Sequence, residues 1–498
     1  MKICTNCQIK EDIKDIALPE IKFKFFFLPT IAEIALPEIM DKKQVAIVGA
    51  GVSGLLACKY CLSKGFHPIV FDTEPDIGGV WAKTIKTTTL QSPKPFYQFS
   101  DFPWPTSVTD VFPTGQQIRD YLRSYATHFD LIPHIRFHSR VKGISYDGPS
   151  SETWSLWNGT GEPFPPEGKW NVTVESIQTA TTRRQVVYTV DFVILCLGRF
   201  KDVPNIPEFP AGKGPEVFRG QVIHSMEYAA MDAKVAEEFV KGKKVVVVGF
   251  GKTGLDIARE CSSINVSKFV ESHIKRKLPL TKFNIVPQRS FSKDIRSCKI
   301  TYLPNRNDFF DEVEKGSIKL KKSQTFSFYN AGILIGDDHS TQIEAEVVIY
   351  ATGFKGVQKL KDIFESSRFG EFIAGSPRVP LYRECIHPQI PQLAIIGFSE
   401  SLSNLYISEM RSKWLVALLE GVFKLPSVKE MQKDIVQWDD YMNQSTGEYH
   451  YRSSIGALEI WYNDQLCKDM GMNPMRKNGP LANLFEPYGP IDYTKIED

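Results

Sequence analysis

The sequence carries two glycine-rich turns whose residue spacing suits the binding of a dinucleotide diphosphate. The first is Gly49-Ala50-Gly51-Val52-Ser53-Gly54, and the second is Gly249-Phe250-Gly251-Lys252-Thr253-Gly254. In such a turn the first glycine permits a tight bend, the second lets a diphosphate approach the backbone, and the third lets helix and strand pack closely. The amino end of the helix that follows favours the negative charge of the phosphates.

The context of the first turn strengthens this interpretation. The apolar run Val45–Val48 comes directly before it and is typical of a buried strand, and a helical pattern follows. Asp72 ends the next strand, Ile69–Phe71, and lies 23 residues after Gly49. A carboxylate at this distance can bind the ribose hydroxyls. Glu74 is a rival acid, but it lies past the strand, and we expect it to be solvated.

A second glycine element follows immediately, as Ile77-Gly78-Gly79-Val80-Trp81. A glycine pair at this place is common where a flavin dinucleotide passes close to the backbone. We therefore add Gly78, Gly79 and Trp81 to the candidate FAD-binding residues.

The second turn has the same context, because it follows the strand pattern Val245–Val248 and precedes a helical one. Two dinucleotide motifs in one chain imply two dinucleotides, normally FAD and NAD(P)H. This pairing predicts a flavoprotein that takes hydride from a nicotinamide.

The elements between the motifs predict an α/β fold with two Rossmann-like domains. Phe192–Leu195, Val347–Tyr350 and Leu393–Ile396 are typical of further buried strands, and residues 145–190 of a β-rich excursion. Thr114 and Gln117 form a capping box before a helix. We expect one face of that helix to pack into the core through Ile118, Tyr121, Leu122, Tyr125 and Phe129.

The composition excludes several other classes of protein. The 498 residues include 60 basic and 58 acidic ones, which argues against a strongly basic nucleic-acid binder. No apolar run approaches the roughly 20 residues of a membrane span. Nine cysteines without a disulfide framework suit a reducing compartment, and we expect a cytoplasmic protein.

A third motif carries a resemblance to a known family. Phe218 to Tyr228 matches the FxGxxxHxxx(Y/F) signature of flavin-containing monooxygenases, through Phe218, Gly220, His224 and Tyr228. Ala351-Thr352-Gly353-Phe354 resembles the ATG(F/Y) linker of that family. Further stretches resemble a plant subgroup that includes defence-associated enzymes that N-hydroxylate pipecolate. They are Leu90-Gln91-Ser92-Pro93, Phe99–Pro105, Ser403-Asn404-Leu405 and 487–493.

The resemblance implies an activity. In this family NADPH reduces FAD, oxygen adds at flavin C4a, and the resulting hydroperoxide transfers one oxygen atom to a soft N or S atom of a small metabolite. The flavin supplies the difficult chemistry, and the protein supplies placement and a dry pocket. The implied partners are therefore O2 and a small N- or S-nucleophile.

Two single residues need an interpretation within this resemblance. Gln91 falls where many family members place a polar residue near the flavin, and it is the one candidate catalytic residue. His224 could be a base, but we favour a structural link between the two nucleotide domains.

The CxxC pairs lead to no redox or metal site. Cys58 and Cys61 lie on the helix after the first turn, where we expect packing rather than a redox disulfide. Cys4 and Cys7 have no second ligand pair nearby, so we expect no zinc site.

The second nucleotide domain departs from the family pattern. By spacing, 268–272 could be its second strand, and Lys275-Arg276-Lys277 could bind the NADP 2′-phosphate. However, 266–283 resembles a segment that the plant enzymes place several dozen residues later, before the stretch matched here by 286–291. We therefore favour a shortened NADPH domain over an intact one.

The expected organisation follows from these motifs. Residues 1–39 form a disordered or non-native extension, with Met40 as an alternative start. Residues 40–210 and 331–498 form the two parts of a larger FAD domain. The smaller NADPH domain, 211–330, is inserted between them and is truncated after about 265.

Three functions remain open from the sequence. The leading one is the FAD- and NADPH-dependent monooxygenase. The alternative is a flavin-binding protein impaired in NADPH-dependent catalysis by the shortened domain. An FAD-dependent disulfide reductase is disfavoured, because no dithiol lies at a suitable place.

Overall fold

The fold places each of the two glycine turns at the carboxyl end of a parallel β-strand. The structure is a computed structural model. It describes residues 43–149, 161–165, 167–177, 184–249, 251–263, 307–336, 340–374, 378–401, 403–446, 454–456, 458–486 and 488–493. The expectations for 1–39, Cys4, Cys7, Met40 and Phe250 lie outside these residues, as do those for 266–283 and 286–291.

The first turn belongs to a five-stranded parallel sheet. In order across the sheet, its strands are β14 Leu393–Ile395, β7 Phe192–Leu195, β1 Gln44–Val48, β2 His67–Phe71 and β3 Ile135–Arg136. In the central pairs Val48 is in register with both Phe71 and Leu195, so the strands end at one edge. The expected strands are confirmed, although the last one ends at Ile395.

Two helices cover this sheet near the first turn. Helix α1, Val52–Ser63, begins directly after Gly51 and packs against α9, Asn404–Leu419. Both helices are buried over most of their length, and the hydroxyl oxygens of Ser53 and Ser408 lie 3.1 Å apart between them. A helix that is covered on all sides needs no polar face.

Helix α2, Gly115–His128, begins at the expected capping box. The Gln117 backbone N–H donates to Thr114 Oγ1, and the Thr114 backbone N–H donates to Gln117 Oε1. Of the expected apolar face, Ile118, Tyr121, Leu122 and Tyr125 are buried, and Phe129 is half-buried at the helix end.

The predicted β-rich excursion is an antiparallel sheet. Its strands β4, β5 and β6 cover Ser139–Asp147, Lys169–Ser176 and Gln185–Val190, in that order across the sheet. Trp170 is buried, and its indole N–H donates to the Pro391 carbonyl oxygen at 3.0 Å. This bond ties the sheet to the segment that leads into β14.

The second turn belongs to a three-stranded parallel sheet. In order across the sheet, its strands are β8 Gln221–His224, β13 Val347–Tyr350 and β9 Val245–Val248. Strand β13 lies past the boundary expected at 330, yet it pairs with β9 along its full length. The pairing argues for a boundary nearer to residue 350. The helices that accompany this sheet are α3 Ser225–Ala230, α4 Ala233–Val240, α5 Lys252–Ser263 and α6 Asn307–Glu314.

Strand β9 differs from its counterpart β1 in burial. Within the described residues it forms one edge of its sheet, and all four of its valines are half-exposed. In contrast, the last four residues of β1 are buried between two neighbouring strands.

The remaining elements complete the two halves of the molecule, one built on the five-stranded sheet and the other on the β8-β13-β9 sheet. An antiparallel sheet of β10 Phe326–Tyr329, β11 Gly332–Ile335 and β12 Thr341–Glu344 precedes β13. The other helices are α7 Gly356–Asp362, α8 Ser367–Ala374, α10 Val428–Thr446, α11 Glu459–Asp469 and α12 Pro480–Phe485. A strand pair is formed by β15 Glu400–Ser401 and β16 Ser454–Gly456.

None of the helices in the described part of the chain has the length and apolar character to span a bilayer.

Candidate functional site

The first glycine turn has no room for side chains at its first and third positions. Gly49 has φ +110°, and a Cβ there would lie 2.5 Å from the Cys196 carbonyl oxygen. A Cβ on Gly54 would lie 1.8 Å from the Gly49 carbonyl oxygen. The helix therefore starts in direct contact with the strand end, as a diphosphate-binding turn requires.

The glycine pair after β2 lies against the same turn. A Cβ on Gly79 would come within 3.0 Å of the Gly51 Cα, and the Gly78 N–H donates to the Ala50 carbonyl oxygen at 3.2 Å. The two glycine elements are therefore one backbone surface without side chains. Such a surface fits the close approach of a flavin dinucleotide.

Asp72 holds this surface in place. Its carboxylate accepts the Ala50 N–H at 2.6 Å and the Glu74 N–H at 2.8 Å, and the residue is buried. A carboxylate has about four lone-pair sites, so ribose hydroxyls can still donate to it. The structure shows the bracing of the turn, and the ribose contact stays a prediction.

Glu74 is not solvated, and that expectation was wrong. The residue is buried, and its Oε1 lies 2.8 Å from the ammonium nitrogens of both Lys83 and Lys201. Burial raises the pKa of Glu74, but the two ammonium groups outweigh it and hold that pKa below its usual value. Lys201 follows β7, so the contact joins segments that are distant in sequence.

Trp81 lies in the short 3-10 helix Gly79–Lys83, and Gln91 lies in the loop between this helix and α2. The Trp81 indole N–H donates to the Tyr97 hydroxyl at 2.8 Å, and Trp81 is half-buried. Gln91 is also half-buried. Its role near the flavin stays a prediction.

The second glycine turn repeats the geometry of the first. Gly249 has φ +123°, a Cβ there would lie 2.4 Å from the Ala351 carbonyl oxygen, and a Cβ on Gly254 would lie 2.3 Å from the Gly249 carbonyl oxygen. No described atom lies within 4 Å of a Cβ built on Gly251. Among the described residues, the space beside the middle glycine of this turn is therefore unfilled.

Lys252 and Thr253 belong to the second glycine turn and are also the first two residues of α5. The Lys252 ammonium lies 2.8 Å from Asp256 Oδ2, one helical turn further along. Lys252 and Thr253 are both half-buried. The positive end of a helix attracts a diphosphate, and a lysine in the first turn of the helix adds its own positive charge to that attraction.

His224 uses both of its ring nitrogens in structural contacts. Nδ1 accepts the Met226 N–H at 3.2 Å, so in the neutral ring Nε2 carries the proton and donates to the Gly353 carbonyl oxygen at 3.1 Å. Burial lowers the pKa of His224, which favours this neutral form. These contacts favour a link between β8 and the linker after β13 over a catalytic base.

The other signature residues pack around that link. Gly220 lacks a side chain because a Cβ would lie 2.3 Å from the Phe218 ring and 2.4 Å from the Glu346 carbonyl oxygen. The Tyr228 hydroxyl donates to Glu260 Oε1 on α5 at 3.2 Å. The signature therefore joins β8 to α5.

Thr352 and Asn205 tie together the two chain segments that connect the sheets. The Asn205 side-chain amide donates to the Thr352 carbonyl oxygen at 3.3 Å, and the Asn205 backbone N–H donates to the Gly353 carbonyl oxygen at 2.9 Å. With Ala351 against Gly249, the Ala-Thr-Gly sequence contacts the second turn and the opposite linker together.

A comparison with known families decides what these two turns belong to. A family model described as flavin-binding monooxygenase-like matches residues 42–276 and 269–478. This chain belongs to the flavin-binding monooxygenase-like family. The family consists of NADPH-dependent monooxygenases that use a flavin, and the resemblance given by the signature is confirmed at this level.

Relatives support the same assignment for most of this flavin-binding monooxygenase-like chain. It is 36% identical to a probable flavin-containing monooxygenase 1 of Arabidopsis thaliana, over 91% of this chain and 96% of that protein. It is 38% identical to a putative flavin-containing monooxygenase 2 of the same plant, over 86% and 98%. The resemblance to the plant enzymes is therefore confirmed, and the pipecolate subgroup stays a prediction.

A solved structure confirms the fold class of two dinucleotide-binding domains. The S-allyl-L-cysteine S-oxygenase of Allium sativum is similar to this monooxygenase-like chain with a TM-score of 0.58. The identity is 19%, and the match covers 87% of this chain and 89% of that one.

The cysteines of the first helix face the core of this monooxygenase-like chain. Cys58 and Cys61 are both free and fully buried. Burial raises the pKa of the Cys58 thiol to about 12 and that of Cys61 further. A thiol that stays protonated is a poor nucleophile, which agrees with the expected packing role.

The sequence did not reveal the residues that join the two halves near the turns. Thr87 and Thr88 contact acidic residues of α5, and Ile85 is buried beside them. Their segment is a polar run with no periodicity, so no pattern could have indicated it.

Proposed function

We propose that this chain binds FAD at the first glycine turn and NADPH at the second, and that it transfers one oxygen atom of O2 to a soft N or S atom of a small metabolite. The repeated turn geometry carries the proposal. In both turns the first glycine lies against a carbonyl oxygen of a neighbouring strand end, and the third lies against the first. Membership of the monooxygenase family agrees with it.

The chain offers a distinct set of residues to each dinucleotide. The surface formed by Gly51, Gly78 and Gly79 would receive the FAD diphosphate, and Asp72 would receive the ribose. Trp81 and Gln91 follow on the flavin side. The FAD set also includes Gly49, Ala50, Val52, Ser53 and Gly54.

For NADPH, the open middle of the turn at Gly251 and the Lys252 ammonium would receive the diphosphate. The full NADPH set is Gly249, Phe250, Gly251, Lys252, Thr253 and Gly254. Bound flavin would supply the activation of oxygen. The protein would position the two nucleotides, exclude water and need no base of its own, since both nitrogens of His224 are already engaged.

The substrate class is tested by product analysis. Purified protein is incubated with FAD, NADPH and a panel of amines, thioethers and pipecolate, and the products are scanned for a mass gain of one oxygen atom. A mass gain of one oxygen atom on at least one of these nucleophiles supports the proposal. Oxidation of NADPH without gain on any member of the panel contradicts it.

Several observations favour a second candidate, a flavin-binding protein impaired in NADPH-dependent catalysis. The family model matches in two segments that meet at 269–276, where the sequence departs from the family. The alignment with the probable flavin-containing monooxygenase 1 of Arabidopsis thaliana runs over 524 positions, more than the 498 residues of this chain. That relative therefore has residues without a counterpart here. Within the described residues, strand β9 lies at the edge of its sheet and its four valines are half-buried, which fits the loss of a neighbouring strand.

These observations support a shortened nicotinamide domain that extends from about 211 to about 350. Anaerobic titration of the FAD-loaded protein with NADPH separates the two candidates. Weak binding of NADPH with retention of FAD supports the impaired protein. Rapid bleaching of the flavin at micromolar NADPH contradicts the shortening and supports the active monooxygenase.

A further inference from the structure

A short segment of the half built on the five-stranded sheet packs into the half built on the β8-β13-β9 sheet. This docking segment, Ile85–Thr88, follows the glycine pair in sequence. Ile85 is only 5% exposed and belongs to the apolar cluster of the second sheet, together with Tyr228, Ile257 and Ile349. The segment is therefore anchored in the core of the half that carries the second glycine turn.

Two hydroxyl groups of the docking segment bind two carboxylates on α5. Thr88 Oγ1 donates to Asp256 Oδ2 at 3.1 Å, and Thr87 Oγ1 donates to Glu260 Oε2 at 2.8 Å. The two acids are one helical turn apart and lie on one face of the helix. Asp256 and Thr88 are each 4% exposed, so water competes little for their hydrogen bond.

The same oxygen of Asp256 also faces the second glycine turn. Asp256 Oδ2 lies 2.8 Å from the Lys252 ammonium, and Lys252 is part of that turn. One buried carboxylate thus contacts both the residue proposed to meet the NADPH phosphates and the docking segment. A hydrogen bond to a charged acceptor is stronger than one between neutral groups.

The docking segment is equally fixed at its other end. The Gly115 N–H donates to the Thr88 carbonyl oxygen at 2.9 Å, and the Leu90 N–H donates to the Pro113 carbonyl oxygen at 2.9 Å. Gln91 follows directly. The position of Gln91 therefore depends on the start of α2 on one side and on Asp256 on the other.

We infer that Asp256 is a positioning residue that docks the nicotinamide helix α5 onto Thr88 and so sets the place of the loop that carries Gln91. The inference rests on the proposed function for its catalytic consequence. Without the contact, both nucleotides would still bind, but the loop beside the flavin would open locally. Hydride transfer, which needs both rings in fixed positions, would then be slower.

The test uses the FAD-loaded protein and the variants Thr88→Val and Asp256→Asn. Hydrogen exchange is measured on the amides of 84–91 and of 252–263. Losing a hydrogen bond to a buried charge should raise the exchange rates of both segments together, by roughly tenfold. Thr88→Ser, which keeps the hydroxyl group, should show the wild-type exchange rates in both segments. If Asp256→Asn speeds exchange only in 252–263, the inference is overturned.

A control removes a different acid, Glu237, which lies four residues from a lysine at the carboxyl end of α4. Glu237 lies 3.6 Å from the Lys241 ammonium, and both side chains are at least half-exposed. Glu237→Gln should leave the exchange of 84–91 unchanged. A rise there would mean that any loss of an acid in this half loosens the segment, and it would overturn the inference.

A second measurement addresses the consequence for the reaction. In anaerobic stopped-flow, Thr88→Val and Asp256→Asn should both lower the rate of flavin reduction at saturating NADPH by about tenfold. Thr88→Val, which does not touch Lys252, should leave the Kd for NADPH unchanged within about twofold. Unchanged reduction rates would overturn the positioning role. If NADPH does not reduce the flavin of the wild-type protein, the proposed function fails, while the exchange measurement still decides the docking contact.

Discussion

The Nε2 atom of His224 lies 3.1 Å from the carbonyl oxygen of Gly353. This contact joins the end of β8 to the linker that follows β13, across 129 positions of sequence. The other ring nitrogen caps α3 by accepting the Met226 N–H, and the Glu227 carboxylate accepts the His224 backbone N–H at 2.7 Å. One side chain therefore sets both the start of a helix and the course of a linker.

His224→Ala should destabilise the protein without removing a catalytic proton acceptor. Loss of a helix cap and of one buried hydrogen bond should lower the free energy of unfolding by about 1–3 kcal/mol. Thermal unfolding monitored by flavin release measures this loss. In the folded variant the pH profile of flavin reduction should keep its shape, and loss of one limb of that profile would instead identify His224 as a base.

The second turn permits a prediction that separates ligand contact from folding. Gly251→Ala should leave the melting temperature unchanged, because no described atom lies within 4 Å of the new Cβ. It should raise the Kd for NADPH, since the methyl group would occupy the space proposed for the diphosphate. In contrast, Gly254→Ala should lower the melting temperature, because its Cβ would lie 2.3 Å from the Gly249 carbonyl oxygen. An unchanged Kd for NADPH in Gly251→Ala would contradict the proposed site.

Glu74→Gln tests the buried contact with Lys83 and Lys201. Leaving two ammonium groups without their carboxylate should cost about 1–3 kcal/mol in the free energy of unfolding at pH 7. Because the folded-state pKa of Glu74 is lowered, its contribution is present above the unfolded pKa and is lost as the pH falls through the folded one. Urea unfolding at pH 7 and below pH 4 measures this, and the difference between wild type and variant should shrink at the lower pH.

His387 predicts a second dependence of stability on pH. It is buried, its ring stacks on Phe372 at 5.4 Å, and burial lowers its pKa to about 4. Since the unfolded chain binds the proton more tightly, stability from the neutral ring is present above about pH 6.5 and is lost as the pH falls toward 4. The full effect is about 3 kcal/mol on the scale of 1.36 kcal/mol per pKa unit.

His387→Gln should therefore flatten the dependence of stability on pH between about 6.5 and 4. It should also lower stability at pH 7, because the stacked ring is lost. Thermal melts at pH 7, 6 and 5 check both points. An equally steep decline in the variant would assign the acid sensitivity to other groups.

The sequence by itself determined the features that depend on neighbouring residues. The two glycine turns follow from spacing within six residues, and the structure shows at both the close packing that the spacing predicts. The strands Phe192–Leu195, Val245–Val248 and Val347–Tyr350 have the predicted bounds. The capping box at Thr114 forms as predicted. Each of these depends on backbone geometry over one turn or one strand.

Only the tertiary structure decided which distant residues meet. Nothing near Glu74 indicates that Lys201 neutralises it, and nothing in β13 indicates that it pairs with β9 rather than with the first sheet. Thr88 and Asp256 are 168 positions apart, and their hydrogen bond exists because Ile85 is buried beside α5. Local patterns fix the direction and periodicity of the backbone, whereas contacts between halves depend on how two separately formed cores bury their remaining apolar surface.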